Sequence, residues 1–177
     1  MKYLVMCEGP NELEVIKILL RHNCLKFTED DLLGLVPYHA RQIKNSGIVQ
    51  AALNIYPGKV VILRIGDKLN EKLCIPKKYQ EKIVSVEKYC TKPELEILLI
   101  ISEGLEKEFE KVKSKEKAKS FAKKNIRCGR RQYKNDTAFY TEYYGNNAKA
   151  LVSSIKKYKH IKKSHNQDEH YLADLLK

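Results

Sequence analysis

The chain reads as an α/β protein, a mainly parallel four-stranded sheet flanked by helices and followed by a basic helical C-terminal extension. Short apolar runs of strand length alternate with segments whose apolar residues recur at helical spacing. Two of those runs end in a turn that carries an acid, Glu8 and Asp67. The charge is also uneven: residues 1–105 hold 15 Lys and Arg against 13 Asp and Glu, whereas residues 106–177 hold 19 against 9. The expected division is therefore an α/β domain over 1–105 and a basic extension over 106–177.

Lys2 to Cys7 is an apolar run short enough for a buried strand. Glu8-Gly9-Pro10-Asn11-Glu12 closes it, and Leu13, Val15, Ile16, Ile18, Leu19 and Leu20 then follow a helical period. Thr28-Glu29-Asp30-Asp31 has the composition of a capped turn, and Leu32 to Val36 suits a second strand stopped by Pro37. Ala40 to Tyr56 has helical spacing up to Pro57-Gly58. Lys59 to Ile65 is the clearest strand, ending in Gly66-Asp67-Lys68-Leu69-Asn70, and Ile83 to Val86 makes a fourth. Thr91 as an N-cap, Pro93 in the first turn and early acids open a helix through Ile101.

Beyond residue 105 the character changes. Glu106 to Lys124 is charged and free of Gly and Pro, which predicts one long helix. Arg127-Cys128-Gly129-Arg130-Arg131 is a basic break. Asp136 is placed to cap a helix through Tyr144, and two more helices are expected near 148–160 and 168–176. Leu151, Ile155, Tyr171, Leu172, Leu175 and Leu176 give these segments apolar faces to pack on the α/β domain.

Composition excludes several classes. Hydrophobic residues make up 43%, enough for a core. No apolar stretch approaches about 18 residues, so no membrane span is expected. The N-terminus lacks the layout of a secretory signal, which points to the cytoplasm. The five cysteines show no C-x-x-C pair, which argues against a disulfide framework and a structural zinc site. No Gly-rich phosphate loop is present, which disfavours a phosphotransferase or nucleotide-binding protein.

In an open parallel sheet, both acid-tipped strands deliver their carboxylates to the edge where such sheets bind ligands. Magnesium takes hard oxygen ligands and keeps several waters, so two or three carboxylates suffice. The candidates are Glu8, Asp67 and the pair Glu94 and Glu96, with Glu12 four residues past Glu8 placed to orient them. Each has a plainer reading: Glu12, Glu94 and Glu96 suit helix N-termini, and Asp67 suits a turn.

Strand-Glu8-Gly9-x-x-Glu12-helix, followed later by strand-Asp67, resembles the TOPRIM domain of topoisomerases, primases and small nucleases. The nearest likeness is to nucleases of the overcoming-lysogenization-defect type and related bacterial defence effectors, over roughly the first hundred residues. The resemblance implies Glu8 as acid/base or metal ligand, Asp67 as metal ligand, and Glu94 or Glu96 at a second metal position. It also implies a magnesium or manganese cofactor, an anti-phage role and a partner ATPase. One position departs from the pattern. TOPRIM domains usually carry Asp-x-Asp, and here the run is Asp67-Lys68-Leu69, so Asn70 or Glu71 would have to substitute.

The basic balance points to a polyanion, DNA or RNA. Lys123, Lys124, Arg127, Arg130, Arg131 and Lys134 cluster around Gly129, with Tyr133 and Tyr140 nearby to stack bases. The tyrosines at 140, 143 and 144 suit a core-facing helix equally well. Arg41 and Lys68 are further candidates for phosphate contact at the sheet edge, Lys68 reading equally as a solvated loop lysine. The expected function is metal-dependent phosphodiester cleavage, in a chain that could form homo-oligomers. The alternative is an inert TOPRIM-like module that binds nucleic acid or a partner protein.

Overall fold

The computed structural model describes residues 1–67, 69–162 and 165–177. The expected α/β class is what the chain adopts, with five parallel strands in one sheet where four were expected. In chain order the elements begin with β1 (Lys2–Cys7), α1 (Pro10–Arg21), β2 (Tyr38–His39), α2 (Gly47–Ile55), β3 (Val60–Gly66) and β4 (Ile83–Cys90). There follow α3 (Ile97–Ser102), α4 (Glu106–Val112), α5 (Ala118–Asn125), β5 (Arg127–Cys128) and β6 (Arg131–Gln132). The chain ends with α6 (Thr137–Tyr144), α7 (Ala148–Ile161) and β7 (Glu169–Tyr171). The sheet order is β2-β1-β3-β4-β7, all parallel, and β5 and β6 form a separate antiparallel hairpin.

Every residue of β3 is buried, because helices cover both faces of the sheet and the strand lies at its centre. Val5, Cys7, Val61, Leu63 and Ile65 face one apolar cluster, built with α1, α3 and α5 to α7. Leu4, Met6, Val60 and Ile62 face a second, smaller cluster with α2. The larger cluster runs from Val5 to Leu176, so the basic C-terminal segment shares its core with the first hundred residues. Among the described residues no helix is long and apolar enough to cross a membrane.

Several boundaries differ from expectation. Leu32–Val36 is not a strand: Leu33–Leu35 forms a single 3-10 turn with Gly34 at φ +71°, and the strand comes after Pro37. The helix expected from Ala40 starts only at Gly47, where Ser46 Oγ accepts from Val49 N at 3.4 Å. Thr91 does not cap a helix; α3 begins at Ile97. Glu106–Lys124 breaks into α4 and α5. The segment expected as a helix at 168–176 instead supplies β7 and a 3-10 turn at Leu172–Leu175. Asp136 caps α6 as expected, its Oδ1 accepting from Phe139 N at 2.9 Å.

Candidate functional site

Reversal of strand order between β1 and β3 opens a crevice at the carboxyl ends of those strands. Glu8 follows β1 and Asp67 follows β3, so the two acids flank that crevice. Glu8 N donates to Ile65 O at 2.8 Å, which continues the strand pairing one residue past Cys7 and fixes Glu8 beside Gly66. A Cβ added at Gly66 would stand 2.8 Å from Glu8 Cβ and 2.9 Å from Leu69 Cδ2, and would meet the Glu8 carboxylate. One at Gly9 would stand 2.5 Å from Glu12 Oε2. Both glycines therefore make room for a carboxylate, a function separate from turn geometry.

Pro10 in the first turn of α1 and Glu12 behind it start that helix in the usual way. Glu12 is nevertheless buried, and burial pushes its carboxyl pKa up, with Glu8 and Glu96 adding to the rise. Asp67 is the extreme case. Burial, followed by the charges of Glu12, Glu96, Glu8 and Glu94, pushes its pKa up to about 8. Glu8, Glu12, Glu94 and Glu96 thus all lie near enough to Asp67 for their charges to be felt there.

Glu96, 2% exposed, accepts from the Tyr133 hydroxyl at 2.6 Å and has Lys119 Nζ at 3.9 Å. Glu94 Oε2 accepts from Lys119 N at 2.8 Å, so it ties the start of α5 to the end of β4. Asn135, at φ +63°, accepts at Oδ1 from Asn11 Nδ2 at 3.1 Å, and that oxygen stands 3.2 Å from the Tyr133 hydroxyl, whose one proton is given to Glu96. Asn tolerates that left-handed backbone. Asn11, Lys119, Tyr133 and Asn135 are site residues that the sequence alone does not reveal. Their partners lie up to 124 residues away.

Several buried side-chain oxygens among the described residues lack a hydrogen-bond partner. Four of them, Glu8 Oε2, Asn11 Oδ1, Asp67 Oδ1 and Thr91 Oγ1, lie at this edge. Thr91 belongs there because its N–H donates to Gly66 O at 3.1 Å. Orphaned acceptors beside mutually repelling carboxylates are what a cation would satisfy. This donor set would suit a hard divalent ion, and Glu8 and Asp67 are the residues that would hold it. Among the described residues no three Asp, Glu, His or Cys side chains are drawn close enough to grip an ion as they stand. Leu69, where a second Asp would complete the usual pattern, is buried at 5%, and Asn70 and Glu71 are exposed.

Arg41 reaches the same edge, its Nε donating to Glu8 O at 3.1 Å and an Nη standing 4.0 Å from Glu8 Oε1. Lys68 lies outside the described residues. In the basic cluster, Lys123, Arg127, Arg130 and Lys134 are exposed. Arg131 instead pairs with Asp136 at 2.5 Å and Glu142 at 3.1 Å, and Lys124 pairs with Glu116 at 2.6 Å. Gly129, at φ +56°, makes the two-residue turn that puts Arg130 at the tip of the β5–β6 hairpin. Tyr133 and Tyr140 do not offer rings to bases: they are 1% and 0% exposed and pack edge-on against each other. Compared with known proteins, the chain matches no family model, no curated protein and no solved structure.

Proposed function

We propose that the chain is a metal-dependent nuclease of TOPRIM type that cleaves phosphodiester bonds in DNA or RNA. The observation that carries this reading is the set of unpartnered oxygens at the sheet edge, Glu8 Oε2 and Asp67 Oδ1 among them, where burial and then the neighbouring acids push the Asp67 carboxyl pKa up to about 8. A divalent magnesium or manganese ion held by Glu8 and Asp67 would supply an activated water and neutralise charge on the phosphoryl group. Glu12 and Glu96 keep the surroundings of Asp67 negative, which favours a cation there. Tyr133 and Lys119 fix Glu96, and Glu94 anchors the start of α5. Arg41 and the exposed Lys123, Arg127, Arg130 and Lys134 would hold the backbone of the substrate.

The test is incubation of the purified protein with plasmid, linear duplex, single-stranded DNA and transfer RNA, with magnesium or manganese and with EDTA. Cleavage should require the metal and disappear in Glu8→Ala and Asp67→Asn. A second reading is favoured by one observation: the buried Leu69 leaves no acid in the place of the second Asp. On that reading the chain is an inert module that binds nucleic acid, and binding without cleavage in every lane would establish it.

A further inference from the structure

We infer that Arg64, together with Arg41, forms a seat for a phosphoryl oxyanion beside Glu8, on the α2 side of the sheet edge. This deepens the nuclease reading and rests on it only for the ligand's source, a phosphate of the substrate.

Arg64 interrupts the otherwise uncharged run Val60-Val61-Ile62-Leu63-Arg64-Ile65-Gly66 at the centre of the sheet. It pairs in register with Met6 on one side and Lys88 on the other, and it is only 4% exposed. Alternation places it on the face of Val60 and Ile62, toward α2. Burial holds its guanidinium below the usual range, and Glu8 and Glu71 counter this only through space. Among the described residues its one hydrogen-bond acceptor is Glu71 O, at 2.7 Å, and no carboxylate lies within 4.0 Å of it.

A guanidinium has five N–H donors in a planar fork suited to phosphate, and among the described residues one is used. A buried charge is normally paired, so an Arg that merely filled the core would be a poor choice at this position. The side chain opens on a cavity of about 50 Å³, whose walls include Glu8, Arg41, Asn70 and Glu71. That volume exceeds the roughly 10–15 Å³ a single water requires and suits a tetrahedral oxyanion. Arg41, its side chain 65% exposed, also lines the cavity; its Nε donates to Glu8 O and an Nη stands 4.0 Å from Glu8 Oε1. The two cations lie beside the proposed metal ligand Glu8, where a phosphate next to the reacting one would be held.

The test uses metal-free full-length protein in EDTA, titrated with inorganic phosphate and, separately, with thymidylyl-thymidine, an internal diester without terminal phosphate. Binding is followed by calorimetry and by the arginine Nε–Hε resonances. We expect at least one probe to bind saturably; which one does so tells whether a free phosphate or an internal diester fills the seat. Arg64→Gln should weaken that binding roughly tenfold, Arg64→Lys by less, and Lys107→Ala, on a remote exposed lysine, not at all. Arg41→Gln, on an exposed side chain, should weaken it several-fold and keeps the test decisive if Arg64→Gln does not fold. Absence of saturable binding by either probe, or wild-type affinity in both arginine variants, would overturn the seat. Because no cleavage is measured, intact phosphate binding in a protein that cuts nothing would overturn the nuclease reading alone.

Discussion

The Tyr133 hydroxyl donates to Glu96 Oε1 at 2.6 Å, joining the loop after the basic hairpin to the acid that precedes α3. Both groups are almost fully buried, and burial with the Glu96 charge pushes the Tyr133 phenol well above its usual range. The phenol therefore remains protonated, and a donor, at neutral pH. Removing it leaves a buried carboxylate oxygen with only Lys119 at 3.9 Å. Tyr133→Phe should cost about 1.5–3 kcal/mol, the range for a hydrogen bond to a charged group. Urea denaturation measures it, and an unchanged midpoint would show that Glu96 finds another donor.

Asp67 gives a pH dependence whose sign is fixed by its shift. Its pKa rises from 3.8 to about 8 on folding, because burial and the charges of Glu12, Glu96, Glu8 and Glu94 disfavour the carboxylate. The folded state thus binds more protons than the unfolded one between those values. Its stabilising contribution is full below about pH 4 and is lost as pH rises through about 8, with a slope up to about 1.4 kcal/mol per pH unit. In EDTA, Asp67→Asn should flatten the wild-type decline between pH 5 and 8. Magnesium should restore stability to the wild type at pH 8 and do much less for the variant. Parallel melting profiles for the two proteins in EDTA would remove Asp67 from the centre of the cluster.

Gly66 tests whether close approach, more than backbone freedom, is what this turn needs. Its φ is not in the left-handed region, so an alanine is tolerated by the backbone. The added methyl would displace Glu8 or Leu69. Gly66→Ala should destabilise by about 1–3 kcal/mol, as overpacking does, and should weaken metal binding beyond that loss. Isothermal titration with manganese on the folded variant separates the two effects. Metal affinity equal to wild type would mean that Leu69 gives way to the methyl and that the close approach of Gly66 to Glu8 does not govern metal binding.

What the sequence made legible follows from how each element is stabilised. β3, and β1 from Leu4 onward, are buried on both faces, so they appear as largely apolar runs, broken in β3 by Arg64 alone. β7 has no such run: Glu169-His170-Tyr171 is held by pairing with β4 and by the 2.5 Å ion pair of Glu169 with Lys92, neither visible in a local pattern. β2 is two residues long and offers no period to read. Glu8 and Asp67 were legible because an acid directly after an apolar strand is conspicuous. Tyr133 and Asn135 were not, since their roles come from contacts with Glu96 and Asn11 across the chain. Arg64 did carry a signal, a lone charge inside the clearest strand.

The basic hairpin separates two arginines that look equivalent in sequence. Arg131 is flanked by Asp136 and Glu142, and Asp136 also caps α6, so its charge is already matched within the fold. Arg130, at the exposed tip, has no described ion pair. A phosphate contact contributes to the salt dependence of binding through counterion release, about 0.9 in the slope of log K against log salt for each contact on duplex DNA. Arg130→Ala should lower that slope by about one contact with little change in stability. Arg131→Ala should leave the slope nearly unchanged and cost about 0–1 kcal/mol, the worth of a partly exposed ion pair. Fluorescence anisotropy at four salt concentrations, with thermal melts of both variants, measures each. Equal slopes for Arg130→Ala and the wild type would take the hairpin tip off the nucleic-acid path and move the interface toward Arg41 and the sheet edge.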